Sequence, residues 1–308
     1  MNANRRNPTA LLTDLPRPTA LVLGAGEQNC VAGAAMLEVV LADGWRPDLA
    51  VGSSGGALTV AVLATSPDQA PQVATALWRE IATSRASQPG WPRVARAAAG
   101  GEGQAITKTW VALLEPYFGD LLLDDTGCTL VATNLSRQAP LTIDTGPVLD
   151  AVLMAAAHPV LTNPVLLDNG DVVIDGGFAA PQPVLQALAA GAKSIVVLDT
   201  GRPEPHISAV PPARWYRVVL AAVRAQLDSK ASLDVAAAAL SVPIIVLSAA
   251  EPGWVQWDQC DERLDAGRLA AADQLAKLDA RWSKISAAGV YTAADEVRLD
   301  RRLAHRMR

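Results

Sequence analysis

The stretch LAVGSSGGALTV at residues 49–60 constrains the fold more than any other part of the chain. Leu49 to Val51 is an apolar run, Gly52-Ser53-Ser54-Gly55-Gly56 follows, and Ala57 to Ala64 is rich in helix formers. That order predicts a strand, a tight turn and a helix, with a serine at the apex. Glycines suit such a turn because its backbone angles oppose a side chain, and because strand and helix must pack closely behind the serine. The pattern G-x-S-x-G is that of a nucleophile elbow, which holds one hydroxyl exposed above a sheet. The same residues also suit an ordinary Gly/Ser turn, so the rest of the chain has to decide between the two.

Upstream, Thr19 to Leu23 reads as a buried strand running into the turn Gly24-Ala25-Gly26, and Ala32 to Ala42 as a helix closed by Asp43-Gly44. Apolar, non-alternating strands interleaved with helices predict an α/β fold: a mostly parallel central sheet covered by helices on both faces. Downstream, Cys128 to Asn134 and Pro140 to Asp144 read as a strand pair, and Gly146 to Ala157 as a helix stopped by His158-Pro159. Asp168-Asn169-Gly170 between Val165–Leu167 and Val172–Ile174 signals a hairpin, which delivers Asp175-Gly176-Gly177. Helices are expected over 183–190, 215–239, 268–278 and 293–305, and strands over 194–198 and 243–247.

Residues 1–18 are polar and punctuated by proline, and read as a loosely held arm. Residues 19–308 read as a single domain with a helical cap at about 67–127. The cap carries Trp78, Trp91, Trp110, Tyr117 and Phe118 in a chain with few aromatics. Those rings suit contact with acyl chains or a membrane face, but packing of the cap onto the sheet is the simpler reading for any one of them.

Half of the 308 residues are hydrophobic and the net charge is −5, which speaks against a nucleic-acid partner. Cys30, Cys128 and Cys260 are widely spaced, with neither the pairing of a zinc site nor a disulfide framework, as suits a reducing cytoplasm. No apolar segment follows Arg5 and Arg6, so no signal peptide is expected. The longest apolar run, 235–250, is broken by Ser241 and Pro243 and is too short to span a bilayer. A soluble, cytoplasmic protein is the expectation. The arginines at 298, 301, 302, 306 and 308 are compatible with peripheral contact to anionic lipid, although a solvated helix end explains them more simply.

A serine hydroxyl needs a base to become a nucleophile. Of the three histidines, His305 lies in the charged tail, His206 in the Pro-rich run PEPH, and His158 at a helix end. The order serine, acid, histidine of α/β-hydrolases leaves only His206 or His305, neither in a convincing setting. Asp175 is the better partner: it ends an apolar strand before two glycines, and an aspartate in hydrogen-bond reach can act as base without histidine. By itself Asp175-Gly176-Gly177 also fits a capped turn. Backbone donors for an oxyanion are available in principle from Gly24, Ala25 and Gly26, helped by Gly55. A nucleotide-phosphate turn is disfavoured, since the third glycine of that fingerprint falls at Asn29.

The glycine turn, the elbow and the distal Asp175-Gly176-Gly177, in that order, resemble the patatin-like phospholipase family. Further resemblance lies in ADGWRPD before the elbow and in PQPV through GAKSIVVL after the aspartate. It covers about residues 19–66 and 146–200 well. The resemblance implies a lipid acyl hydrolase with a Ser54–Asp175 dyad, an oxyanion loop at Gly24 to Gly26, no cofactor or metal, and a lipid or acyl-ester substrate. One departure stands out: the family's loop carries a basic residue followed by glycine, whereas this chain reads Glu27-Gln28-Asn29-Cys30. Alternatives are acyl transfer to an acceptor other than water, and a catalytically weak member that binds lipid or protein.

Overall fold

A computed structural model describes residues 10–84, 103–159, 162–201, 215–249 and 257–293. In chain order its strands are β1 (Thr19–Leu23), β2 (Leu49–Ser53), β3 (Cys128–Asn134), β4 (Ala139–Ile143), β5 (Val165–Leu166), β6 (Val172–Ile174), β7 (Ser194–Asp199), β8 (Pro243–Ser248) and β9 (Gly289–Tyr291). The helices are α1 (Ala10–Thr13), α2 (Cys30–Leu41), α3 (Gly55–Thr65), α4 (Ala70–Thr83), α5 (Gly103–Phe118), α6 (Val148–Ala155), α7 (Val184–Ala189), α8 (Trp215–Ala238) and α9 (Cys260–Arg281).

All nine strands join one sheet in the order β5-β6-β3-β2-β1-β7-β8-β9, with β4 also on β3. From β3 through β9 along that order every pairing is parallel, whereas β4, β5 and β6 pair antiparallel. The alternation of side chains shows that both faces are covered, as a parallel sheet requires. Leu21, Leu23, Val196, Leu198, Ile245 and Leu247 point into one apolar cluster, with α2, α3, α4, α5, α6 and α9. Their neighbours Ala20, Val22, Ile195, Val197 and Ile244 point into the other, with α7 and the end of α8.

The expected cap belongs to the first of these cores. Leu77, Trp78 and Ile81 of α4 and Leu114 and Phe118 of α5 are buried in it, and Trp110 and Tyr117 pack against it half-buried. The rings therefore serve packing first. Trp91 lies outside the described residues.

Two expectations need correction, and one strand was not among them. Residues 10–18 are not a loose arm: Leu11, Leu12 and Leu15 are buried in the core, Pro16 O accepts from Ser194 Oγ at 2.6 Å, and Pro18 O accepts from the Lys193 amide at 2.7 Å. Residues 1–9 lie outside the described part. The helix expected to begin after Gly267 begins at Cys260 and contains that glycine. A Cβ on Gly267 would stand 2.5 Å from the Ala32 carbonyl oxygen, so the glycine marks close contact between α9 and α2 and not a helix start. β9 was not foreseen, being only three half-buried residues long. The basic C-terminal segment falls outside the described residues, among which no helix is long and apolar enough to cross a membrane.

Candidate active site

Ser54 stands between β2 and α3 with φ 53° and ψ −131°, a conformation that costs a non-glycine residue about 1–3 kcal/mol. Its neighbours pack too tightly to carry side chains. A Cβ on Gly52 would meet the Ala57 Cα at 2.8 Å, and one on Gly56 would meet the Leu23 carbonyl oxygen at 2.3 Å. The turn is fixed from outside as well: the Ser54 amide donates to Ala155 O at 3.2 Å, and Ser53 Oγ donates to Ala180 O at 2.7 Å.

The sheet brings Asp175 to the same place by a route that the strand order explains. β4 occupies one edge of β3 from Leu130 to Asn134, while β2 holds the other from Cys128 to Val131. At Thr133 and Asn134, where β2 has ended, β6 takes over that edge and runs the opposite way. β2 and β6 thus end head to head, and the residues that follow them meet. Ser54 Oγ donates to Asp175 Oδ2 at 2.8 Å, and the Gly177 amide donates to Asp175 Oδ1 at 2.7 Å. Gly176 permits this approach, since a Cβ there would lie 1.8 Å from Val131 O.

The main chain at Asp175 is clamped too. Its amide donates to Ala157 O at 2.9 Å, and its carbonyl accepts from Thr133 Oγ1 at 2.7 Å, a hydroxyl that also accepts from the Ala179 amide. Burial pushes the Asp175 carboxyl above the usual carboxylate range. The His158 imidazole, the Gly177 amide and the Ser54 hydroxyl act in the opposite direction, and Glu27 adds to the rise. A buried carboxylate whose hydrogen bond already points along the serine O–H is placed to take that proton.

The glycine turn after β1 forms the third side. A Cβ on Gly24 would meet Gln182 Oε1 at 2.1 Å and Pro181 O at 2.3 Å, and one on Gly26 would meet Thr200 Oγ1 at 2.4 Å. Ala25 lies over the aspartate turn, where a Cβ on Gly177 would be 2.7 Å from its own Cβ. Its amide, however, donates to Pro181 O at 2.8 Å. The expectation that all three residues of the turn offer donors is therefore corrected: Ala25 spends its N–H on fixing the turn. Gly55 lies opposite, where a Cβ would meet Cys30 Sγ at 2.7 Å and the Trp78 ring at 3.2 Å. Glu27 follows the turn with φ 51°, and its Oε1 accepts from Arg224 Nη2 at 2.7 Å.

Thr133, His158, Gln182 and Arg224 were not singled out for the site from the sequence. The order serine, acid, histidine excludes His158, yet it lies one residue after the carbonyl that holds Asp175 in place, with its ring 6.4 Å from that of Phe178. His206 and His305 lie outside the described residues. Cys30, Cys128 and Cys260 are buried free thiols, and burial pushes Cys30 up to about 12, so it is neutral near the site. No cluster of three His, Cys, Asp or Glu side chains able to hold a metal ion occurs among the described residues. Next to Ala155, which anchors Ser54, a small and largely apolar cavity opens between α5 and α6, lined by Trp110, Leu114, Val152 and Leu153 among others.

Residues 21–188 match the family model for patatin-like phospholipase. No curated protein matches the chain. Solved structures similar to it include VipD from Legionella pneumophila, at 14% identity and a TM-score of 0.44, over 84% of this chain and 67% of that one. The family match takes in β1, the glycine turn, the elbow, β3 and the aspartate turn, which is to say every side of the site. The chain belongs to the patatin-like phospholipase family.

Proposed function

We propose that the protein is a serine acyl hydrolase of lipid carboxyl esters, working through Ser54 and Asp175. The observation that carries this reading is the 2.8 Å hydrogen bond from Ser54 Oγ to Asp175 Oδ2, made by a serine held at φ 53° on a glycine elbow. Ser54 Oγ attacks the ester carbonyl carbon while its proton passes to Asp175 Oδ2. The carbonyl oxygen becomes an oxyanion, for which we assign the amides of Gly26 and Gly55 as donors, with Gly24 and Ala25 shaping the turn. The tetrahedral intermediate collapses, the C–O bond to the alcohol breaks, and the leaving alkoxide takes the proton from Asp175. The acyl group is now on Ser54. Water attacks it with Asp175 again as base, the fatty acid leaves, and the serine regains its hydrogen.

Loss of a single oxyanion donor typically slows such reactions about 10²–10³-fold, so Gly26 and Gly55 carry much of the expected rate.

The test is intact-protein mass after exposure to a fluorophosphonate, alongside fatty-acid release from p-nitrophenyl esters of increasing chain length and from phosphatidylcholine. The wild-type protein is expected to gain one adduct and to release acid, and Ser54→Ala to do neither, with turnover reduced by about 10⁴-fold or more. A wild-type protein that stays unlabelled while a serine hydrolase control reacts would overturn the reading.

A further inference from the structure

The glycine turn has no basic residue of its own. It carries Glu27 instead, a carboxylate one residue beyond Gly26 and at the head of the short 3₁₀ turn that leads into α2. Left alone, that charge would oppose an oxyanion forming at the turn and would favour the protonated, inactive form of the base. A cation from a remote part of the chain meets it. Arg224 of α8, 197 residues later, brings Nη2 to 2.7 Å from Glu27 Oε1. Its side chain is only 13% exposed, against 38% for Glu27. A guanidinium largely withdrawn from water favours a charged partner close by, and the Glu27 carboxylate, itself more exposed, stands within hydrogen-bond range of it. Glu27 also holds a left-handed backbone conformation with φ 51°, which a non-glycine residue keeps only where its surroundings insist.

We propose that Arg224 is a positioning residue for the acyl-transfer site: its ion pair with Glu27 ties the Gly24–Gly26 turn to α8 and cancels the negative charge that the turn carries toward the oxyanion. The proposal rests on the reading of Ser54 as nucleophile. The titratable groups around Asp175 are His158 beyond α6, Glu27 in the turn and the Cys30 thiol at the start of α2, which burial keeps neutral. Of these, Glu27 is the one whose charge Arg224 controls.

The experiment uses the full chain as wild type, Arg224→Gln, Arg224→Lys, Glu27→Gln and the double variant Glu27→Gln/Arg224→Gln. Two quantities are followed across the pH range either side of neutrality: kcat and KM for a short-chain p-nitrophenyl ester, and the ¹³Cγ chemical shift of Asp175. Arg224→Gln is expected to lose about twofold to threefold in kcat on the acid side with KM unchanged, as its Asp175 midpoint rises. Arg224→Lys keeps most of the activity, and the double variant recovers both the midpoint and most of kcat. Should Arg224→Gln fail to fold, Glu27→Gln decides alone: with Arg224 still in place, the Asp175 midpoint is expected to fall.

An Arg224→Gln protein that matches wild type in both readouts overturns the proposal. So does a double variant as impaired as the single one, because the loss would then come from packing, and so does a Glu27→Gln protein with an unmoved midpoint. The two readings fail separately. A wild type that neither labels nor turns over ester removes the assignment of Ser54, while the Asp175 titration still reports whether Arg224 controls the charge.

Discussion

Two turns face each other across Ser54 and Asp175, and they are held by different means. The elbow at Gly52–Gly56 is fixed by main-chain contact: glycines at 52 and 56 sit where any Cβ would strike backbone, at Ala57 Cα and at Leu23 O. The turn at Gly24–Glu27 leans on backbone only at its start, where Gly24 lies against Pro181 O and the Ala25 amide donates to it; further on it leans chiefly on side chains, Gly26 on the Thr200 hydroxyl and Glu27 on Arg224. Backbone walls cannot yield without moving a strand or a helix, whereas a side chain can turn aside. The elbow therefore has no yielding side, whereas the Gly26–Glu27 end of the glycine turn does.

The widest difference is expected between equivalent glycine changes on the two sides. Gly56→Ala puts a methyl group 2.3 Å from the Leu23 carbonyl and so forces β1 and α3 apart. It should cost about 3 kcal/mol or more, read as a lost or strongly lowered thermal transition. Gly26→Ala instead meets Thr200 Oγ1 at 2.4 Å, with backbone no nearer than Gly201 O at 3.0 Å, and can be relieved by that side chain and by a small shift of the turn. It should leave the transition within a few degrees and reduce kcat about 10²-fold, the scale of a displaced oxyanion donor. Equal losses of stability in the two variants would break the distinction.

A smaller effect separates the charge of Asp175 from its place in the scaffold. Burial raises the folded-state carboxyl of Asp175 above its unfolded value. The stability it contributes is therefore fully present below the usual carboxylate range and is lost as pH rises through the raised folded value. At neutral pH the ionised form is a cost of the site, and Asp175→Asn should raise Tm there while stopping turnover. In acid, where both side chains are neutral, the two proteins should melt alike. A variant that melts lower than wild type at neutral pH would mean that the carboxylate holds the turn together more than its burial strains it.

The smallest effect concerns His158, which pulls the Asp175 carboxyl downward from the end of α6. His158→Gln should move the acid limb of the pH–rate profile upward by less than about one unit, with the alkaline plateau unchanged. A collapse of activity at every pH would instead place the histidine in the proton path.

Much of this was legible in the chain. The strand–turn–helix at 49–60 could be read because glycine, serine and apolar residues fall in an order that few structures accommodate, and Asp175 because it follows a hairpin signal and precedes two glycines. The parallel core followed from apolar strands without alternation. What stayed hidden depends on pairing between distant segments. Nothing near Thr133 announces that its hydroxyl bridges Asp175 O and the Ala179 amide, since both lie more than 40 residues away. Arg224 is one of several charged residues on a long helix, and only the packing of α8 reveals which one meets Glu27. The opposite error has the same source. Gly267 reads locally as a boundary, yet it is a contact glycine inside α9, because the reason for it is Ala32 on another helix.

The central claim is that Asp175 activates Ser54, and the rate of Ser54 phosphonylation as a function of pH tests it most directly. For the wild-type protein, the rate of adduct formation with a fluorophosphonate should rise along a single titration whose midpoint lies above the ordinary carboxylate range, since burial holds the Asp175 carboxyl up. For Asp175→Asn it should be at least about 10²-fold slower and flat through that range, because no base remains to take the Ser54 proton. An Asp175→Asn protein labelled at the wild-type rate, with the same pH dependence, would contradict the account.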